Sequence, residues 1–275
     1  MIIRIDDPAD PRIAAFRDIR ERDLVGRQGL FVAEGEVVLG HLLRSPLCEA
    51  LAVLVDEKRL DALAPLLALA GEDIPIHAAA QGVLDAIAGF HLHRGILALG
   101  RRRAVSTPGE LLDGLGPEAL VVVLQGIGNH DNMGGLFRNA AAFGADAVLL
   151  CADCCDPLYR KAIRVGVGAP LIMPFARFEA EDDPVAGLTE RSFEVLALSP
   201  SGERTLAEIA PVARTAVLFG AEGPGLPPAM LARTTTVAIP MAAGFDSLNV
   251  ATTSGIVLHH LTNQAVCATA AAPTR

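Results

Sequence analysis

The sequence predicts an α/β protein with two domains, on three observations. The chain has 275 residues, more than one domain usually holds, with 51% hydrophobic and 20% charged residues, which is a globular composition. Short apolar runs alternate with segments of helical periodicity along most of its length. One run, Ala119 to Leu124, is continuously apolar and rich in valine. Such runs are typical of strands buried on both faces of a parallel sheet.

The first hundred residues predict one small α/β layer domain. Helical patterns cover 12–23, 36–43, 60–69 and 80–88, and strand patterns cover 29–35, 51–55, 74–77 and 95–99. The stretch 101–117 is rich in Arg, Ser, Thr, Pro and Gly, a composition that indicates a connection between domains. We therefore place the boundary near residue 105, which gives domains 1–104 and 105–275.

The second half predicts a mostly parallel sheet flanked by helices. Strand patterns lie at 119–124, 147–151, 194–198, 216–219 and 236–239. Helical segments separate them, as βαβ units require. The last helix is predicted over 250–261.

Composition excludes several classes of protein. The longest apolar stretches are interrupted by charges before they reach the ~18 residues that a membrane span needs. Acidic residues and Pro8 stand where a signal peptide would have its apolar core, so we expect a cytoplasmic protein. The odd number of cysteines, five, then indicates reduced thiols.

Three of the five cysteines, Cys151, Cys154 and Cys155, form the one cluster in the sequence. A CxxC spacing can hold zinc, but a structural site needs four ligands and no second Cys/His pair stands at a suitable spacing. We therefore expect no metal, and interpret these residues as small apolar side chains at the end of a buried strand.

The formal net charge of −9 argues against a protein that coats nucleic acid without specificity. The net charge does not exclude a local basic surface, and the front domain carries candidates for contacts to RNA phosphates. They include Arg17, Arg20 and Arg27. It is equally open that Arg17 and Arg20 pair with nearby carboxylates on a solvated helix.

The loop after the first strand of the second domain contains Gly126-x-Gly128. A dinucleotide-binding fingerprint requires Gly or Ala at the third position for close packing of strand and helix, and Asp131 stands there. A nicotinamide-dependent oxidoreductase is therefore disfavoured.

The next segment carries Asn132-x-Gly134-x-x-x-Arg138 and opens a helix. The amides at a helix N-terminus can receive an anionic phosphate, and Asn132 can cap or precede that terminus. Arg138 is flanked by Phe137 and Ala140, an expensive place for a permanent charge that lacks an anionic partner. The pattern therefore predicts an anion near this helix.

Two further segments add polar groups at strand ends. The first runs from Leu218 to Leu226 and contains Gly220, Glu222, Gly223 and Gly225. Its glycines allow tight turns and a close approach of backbone to a ligand. The second contains Ile239-Pro240-Met241, then Ser247-Leu248-Asn249 before the last helix. Here Ser247 and Asn249 can serve both as caps and as site residues.

Together, the three segments in this order resemble the motifs of the SpoU/TrmH family of RNA ribose 2′-O-methyltransferases. The front domain is similar to the family's L30e-like substrate-binding domain at Phe31 to Gly35 and at His93 to Ala98. The resemblance covers Arg12 to about Leu261. It implies a deep trefoil knot in the second domain, RNA as substrate, S-adenosyl-L-methionine (SAM) as cofactor, and a homodimer formed by the catalytic domains.

The resemblance also implies roles for individual residues. Cofactor contacts are expected at Leu198, Gly220, Ile239 and Leu248. The acceptor side is expected to consist of Asn132, Arg138, Glu222, Ser247 and Asn249. Because a guanidinium is not deprotonated in proteins, we expect Arg138 to hold an RNA phosphate and to stabilise the developing alkoxide, not to act as a base.

Two positions depart from the family pattern. Gly166 and Val167 replace a step that usually contains Ser, and Ala251 stands where a Ser often follows the third motif. The extra front domain favours ribosomal over transfer RNA as the substrate. A catalytically silent RNA-binding protein on the same fold is the alternative, and SAM titration separates it from an enzyme.

Overall fold

The computed structural model describes residues 2–17, 29–89, 92–243, 245 and 247–270. The chain divides into two compact units. The first comprises Met1–Ala104 together with Asp156–Ile172, and the second comprises Val105–Cys155 and Met173–Arg275. Residues 156–172, which lie within the predicted second domain, thus pack with the first unit.

A five-stranded mixed sheet forms the centre of the first unit, in the order β1-β4-β3-β5-β2. Its strands are β1 Ile2–Ile5, β2 Leu30–Glu34, β3 Cys48–Asp56, β4 Ile76–Ala79 and β5 Ile96–Arg102, and its helices are α1 Glu36–Arg44, α2 Leu60–Leu67 and α3 Gln81–Ala88. Strands β1, β4 and β3 run parallel, whereas β5 is antiparallel to β3 and β2.

Two features of this unit differ from the sequence prediction. Strand β1 was not predicted, yet its Ile5 is fully buried. The helix predicted over 12–23 is a 3-10 helix at Pro11–Phe16, and residues 18–28 lie outside the described residues. Strand β1 lies at the edge of its sheet and only one of its four residues is buried, so it lacks the regular alternation on which the prediction depends.

The second unit contains a seven-stranded sheet whose paired strands are all parallel, in the order β10-β12-β9-β11-β6-β7-β8. The strands are β6 Ala119–Leu124, β7 Ala147–Leu150, β8 Phe175–Arg177, β9 Glu194–Leu198, β10 Arg204–Thr205, β11 Arg214–Phe219 and β12 Thr235–Ala238. The helices after residue 105 are α4 Pro108–Asp113, α5 His130–Ala142, α6 Arg160–Val165, α7 Pro184–Thr189, α8 Pro228–Leu231 and α9 Val250–Ala270. The prediction of a mostly parallel sheet with flanking helices is confirmed, and the trefoil knot stays a prediction.

Strand β6 lies in the interior of this sheet, between β11 and β7. Val121, Val122, Val123 and Leu124 are at most 1% exposed, so both faces of the strand are covered. This burial accounts for the unbroken apolar run, since every position of the strand except the half-buried Leu120 is shielded from water. No helix within the described residues has the length and apolar character to cross a membrane.

Helix α6 lies in the segment that packs with the first unit, where it contacts β2. Arg164 of this helix approaches Glu34 of β2, with 3.8 Å between Nη1 and Oε2, and Glu34 is only 5% exposed. A buried carboxylate is unfavourable without a cationic or hydrogen-bonding partner, so this pair helps to hold the segment on β2.

Helices α5 and α9 pack closely because their facing residues are small. A Cβ added to Gly135 would lie 2.7 Å from the Cβ of Ala251, well inside normal contact. Beside this contact, Asn139 Nδ2 donates to the carbonyl oxygen of Ala251 at 2.6 Å and to Oγ of the fully buried Ser254 at 2.9 Å. The departure at Ala251 therefore lies in a tight helix contact.

Candidate active site

The first motif lies in the first turns of α5, directly after the loop that follows β6. Asn129 caps this helix, since its Oδ1 accepts hydrogen bonds from the backbone N–H of Asp131 (2.7 Å) and of Asn132 (3.4 Å). Asn132 itself sits in the first helical turn and is 7% exposed. Because Asn129 serves as the cap, the side chain of Asn132 is available to the site.

A carboxylate holds the loop before this helix. Asp153 accepts hydrogen bonds from the backbone N–H of Gly126 (3.0 Å) and from Gln125 Nε2 (2.7 Å). Gly126 has a φ of 68°, a left-handed conformation that favours glycine, and a Cβ there would lie 3.1 Å from the Cβ of Ala221. The loop thus requires glycine at this position.

Asn249 joins the three motifs. Its Nδ2 donates to Asn132 Oδ1 at 2.8 Å and to Glu222 Oε1 at 3.0 Å. Its Oδ1 accepts from the backbone N–H of Ala251 at 3.0 Å and of Thr252 at 3.2 Å, at the start of α9. These contacts determine the orientation of the amide, because the oxygen faces two donors and the nitrogen faces two acceptors.

A cavity of about 420 Å³ lies next to this hydrogen-bonded group. It opens at the carboxyl ends of β9, β11 and β12, where ligands usually bind in open α/β sheets. Its lining consists of Leu198, Ser199, Pro200, Gly220, Ala221, Glu222, Gly223, Gly225, Val237, Ile239, Met241, Ser247, Leu248, Asn249, Val250 and Thr253. All four residues predicted to contact the cofactor are in this set.

Several lining residues were not predicted to belong to the site. Ser199 and Pro200 directly follow β9, which pairs with both β11 and β12. The carboxyl ends of neighbouring parallel strands meet at one edge of a sheet, so these residues fall beside the predicted ones. Their position directly after Leu198, a predicted cofactor contact, was the signal in the sequence that could have indicated them.

The second motif folds back on itself. Gly225 N donates to the carbonyl oxygen of Ala221 at 3.0 Å, and Gly223 and Gly225 have φ values of 88° and 70°. A Cβ on Gly220 would lie 2.5 Å from the backbone nitrogen of Leu226. The glycines therefore allow the tight turn and a close approach of two backbone segments at the cavity wall.

Arg138 has a different environment from the one expected. Its side chain is exposed, whereas its neighbours Phe137 and Ala140 are fully buried. The periodicity of α5 turns Arg138 to solvent, so the expectation of a costly apolar environment is wrong. Arg138 does not line the cavity, and it makes no hydrogen bond or ion pair within the part of the chain that the structure describes.

The candidate RNA-binding arginines of the front domain are only partly described. Arg17 donates from Nη2 to the carbonyl oxygen of Asp10 at 3.2 Å. Arg20 and Arg27 lie outside the described residues. The contact of these side chains with RNA stays a prediction.

The cysteine cluster is largely buried. Burial raises the pKa of Cys151 to about 12, and burial also raises the pKa of Cys154, so both are protonated thiols at neutral pH. Cys154 donates from Sγ to the carbonyl oxygen of Leu124 at 3.1 Å. Within the residues described, no group of three or more His, Cys, Asp or Glu side chains is arranged to hold a metal ion.

Comparison with known proteins places these motifs in a family. The model of the SpoU rRNA methylase family matches residues 119–259. An uncharacterized tRNA/rRNA methyltransferase of Mycobacterium bovis is 39% identical over 265 residues, which cover 93% of this chain and 90% of that protein. An uncharacterized tRNA/rRNA methyltransferase of Mycobacterium avium is 29% identical over 259 residues, 92% of this chain and 81% of that protein.

Solved structures share the fold. A crystal structure of an RNA 2′-O ribose methyltransferase superposes with a TM-score of 0.79 at 25% identity, covering 96% of this chain and all of that one. An rRNA methyltransferase from Sinorhizobium meliloti with bound AdoMet superposes with a TM-score of 0.78 at 22% identity, covering 94% of this chain and 97% of that one. On the match of the family model and the near full-length relatives, this chain belongs to the SpoU rRNA methylase family.

Proposed function

We propose that this protein transfers a methyl group from SAM to a ribose 2′-hydroxyl of RNA. One observation carries the proposal: Asn249 holds Asn132 and Glu222 together at the wall of the cavity that Leu198, Gly220, Ile239 and Leu248 line. The predicted acceptor residues other than Arg138 thus lie beside the predicted cofactor residues, as a group transfer requires.

The cavity suits SAM in size and chemistry. Its volume lies within the range of about 300–1,000 Å³ that is usual for cofactor sites. Val237, Ile239, Met241 and Leu248 offer apolar surface for an adenine ring. Within the described part of the chain, Glu222 is the only charged residue among the lining side chains, and its negative charge complements a cationic ligand.

Bound SAM supplies an electrophilic methyl group on its sulfonium. The chain's own residues must then place the ribose hydroxyl in line with that methyl group, and the proton of that hydroxyl must have an acceptor. Asn249 fixes the carboxylate of Glu222 and the amide of Asn132 beside the cavity, while Ser247 contributes a hydroxyl to the lining. Arg138 is exposed and makes no ion pair or hydrogen bond within the described residues, so it can hold an RNA phosphate, and the proton leaves through that phosphate or through water.

Ribosomal RNA is the substrate we favour. The front unit adds an α/β domain ahead of the family segment at 119–259, and its arginines are candidates for phosphate contacts. The names of the relatives include both tRNA and rRNA, so they do not distinguish the two substrates. The choice between them rests on the front domain alone.

The test uses the full chain, SAM labelled in its methyl group, and total RNA from a strain that lacks the gene. A 2′-O-methyl group blocks alkaline cleavage, so we expect the label in alkali-resistant dinucleotides, and in the ribosomal RNA fraction after separation by size. Label in the nucleobases would overturn the ribose assignment. Label confined to transfer RNA would overturn the choice of substrate.

A catalytically silent RNA-binding protein, which kept the fold and lost the cofactor, is the second candidate. Calorimetric titration with SAM, and with NAD as the control ligand, decides this. We expect SAM to bind and NAD not to bind. RNA binding without SAM binding would favour the silent protein.

A further inference from the structure

The loop between β12 and α9 carries an exposed aromatic side chain. Phe245 is 76% exposed, and it is the only aromatic residue among the exposed large hydrophobic side chains of the described chain. The other phenylalanines that the structure describes are buried or half-buried. A single exposed ring is therefore an exception to the way this protein uses its aromatic residues.

Phe245 lies beside the cavity but does not line it. Met241, Ser247 and Leu248 of the same loop belong to the lining, and Phe245 does not. Its backbone N–H donates to the carbonyl oxygen of Ala242 at 3.2 Å, in a turn. A cofactor that fills the cavity would leave the ring uncovered, so the ring is available to a molecule that approaches from outside.

The charges around the cavity limit how RNA can be held there. Among the described residues, Glu222 is the only charged one in the lining, and a carboxylate repels phosphate. Arg138, the candidate phosphate ligand, lies on α5 and outside the lining. Stacking of a base on an aromatic side chain does not depend on the phosphate, and it is a usual contact in the recognition of single-stranded RNA.

We propose that Phe245 is a stacking platform for a nucleobase next to the acceptor ribose, and that it positions the 2′-hydroxyl in front of Ser247 and Asn249. This inference rests on the proposed function. A phenylalanine ring stacks on any base, so the contact contributes affinity and orientation, not sequence specificity. Phe245 is a positioning residue and takes no part in the chemistry.

The test compares Phe245→Ala, Phe245→Leu and Phe245→Trp in the full chain. With ribosomal RNA as the methyl acceptor, Phe245→Ala should raise the KM for RNA by about 5-fold to 150-fold, the range expected for one stacked base, and leave kcat nearly unchanged. Phe245→Leu keeps apolar volume without a π face and should not restore the KM. Phe245→Trp should restore it.

A matched control removes apolar surface elsewhere. Val212 is 49% exposed and precedes β11, at the end of that strand opposite the cavity, so Val212→Ala should leave the KM unchanged. The salt dependence of RNA binding should be the same for Phe245→Ala and the unaltered protein, because no phosphate contact is lost. The affinity of Phe245→Ala for SAM should also equal that of the unaltered protein.

A second measurement does not depend on methyl transfer. A single-stranded RNA that contains 2-aminopurine is titrated with each protein in the presence of S-adenosylhomocysteine, and stacking should quench its fluorescence for the unaltered protein and Phe245→Trp only. The inference would be overturned if Phe245→Ala quenched the fluorescence as strongly as the unaltered protein. It would also be overturned if that variant bound SAM tenfold more weakly or changed its oligomeric state. An unaltered protein that quenches but transfers no methyl group would refute the proposed function and leave the stacking intact.

Discussion

The side-chain amide of Asn249 both caps α9 and belongs to the candidate site. Oδ1 accepts two backbone hydrogen bonds of α9, and Nδ2 reaches Asn132 and Glu222. Asn249→Ser should keep the cap, because serine caps about as well as asparagine, but a hydroxyl with one hydrogen cannot bridge both partners. We expect an unchanged melting temperature and a loss of roughly 10²-fold in kcat, as for misplaced reacting groups.

Asn249→Ala is the paired variant. It loses the cap as well, so its free energy of unfolding should fall by about 0.5–2 kcal/mol, measured by chemical denaturation. If Asn249→Ser kept full methyl transfer, the bridge would be a structural contact without a role in the reaction.

At Arg138, an effect on catalysis can be distinguished from an effect on protein stability. Arg138→Ala should lower turnover on the order of 10²–10³-fold, as for the loss of one transition-state donor. Its melting temperature should not change, because the side chain is exposed and is not seen to pair within the described residues. SAM affinity should not change either, because Arg138 does not line the cavity.

Lysine is the control at this position. It keeps the charge but loses the planar, two-pronged donor geometry, so Arg138→Lys should recover only part of the lost turnover. A tenfold weaker binding of SAM with intact single-turnover chemistry would contradict the assignment of Arg138 to the acceptor side.

At the scale of elements, the contact between α5 and α9 depends on small residues. Gly135→Ala should destabilise the protein by about 1–3 kcal/mol, because the new Cβ would lie 2.7 Å from that of Ala251. Ala251→Gly should restore much of that loss in the double variant, although glycine itself lowers helix stability. Chemical denaturation of the single and double variants measures this coupling.

Gly187 of α7 supplies the matched control. A Cβ there meets no atom within 4 Å, so Gly187→Ala should stabilise the helix by about 0.5–1 kcal/mol. Additive effects of Gly135→Ala and Ala251→Gly would mean that the two residues do not pack against each other as described.

At the scale of the whole molecule, we predict a homodimer formed by the catalytic domains. The buried apolar residues of the last helix are not available to this interface, since Val257, Leu258 and Leu261 are at most 3% exposed within one chain. Ile256, at 40% exposure, is the large apolar side chain of α9 that remains at the surface among those described. Light scattering should give a dimer, and Ile256→Arg should shift it toward monomer.

The position of Arg138 adds a functional test of this dimer. Because Arg138 does not reach the cavity of its own chain, a second copy could bring it there. Mixing inactive Arg138→Ala with inactive Asn249→Ala should then restore part of the activity. A monomer at micromolar concentration with undiminished turnover would contradict the prediction of a dimer.

The sequence by itself determined the elements and the composition of the motifs. The valine-rich run of β6 and the alternation of strands and helices depend on local periodicity, and the glycines of the second motif depend on local backbone sterics. These properties act over a few residues, so they can be seen without the fold. The two- and three-residue strands β10 and β8 escaped because they are too short to show a period.

Only the tertiary structure decided which residues meet. Asn249 contacts Asn132, 117 residues earlier, and Glu222, 27 residues earlier, because the parallel sheet places the ends of separate strands at one edge. The exposure of Arg138 and the packing of residues 156–172 with the first unit were likewise decided by the tertiary structure. Such contacts depend on strand order and on the faces that helices bury, which are set by packing of the whole chain and not by any local pattern.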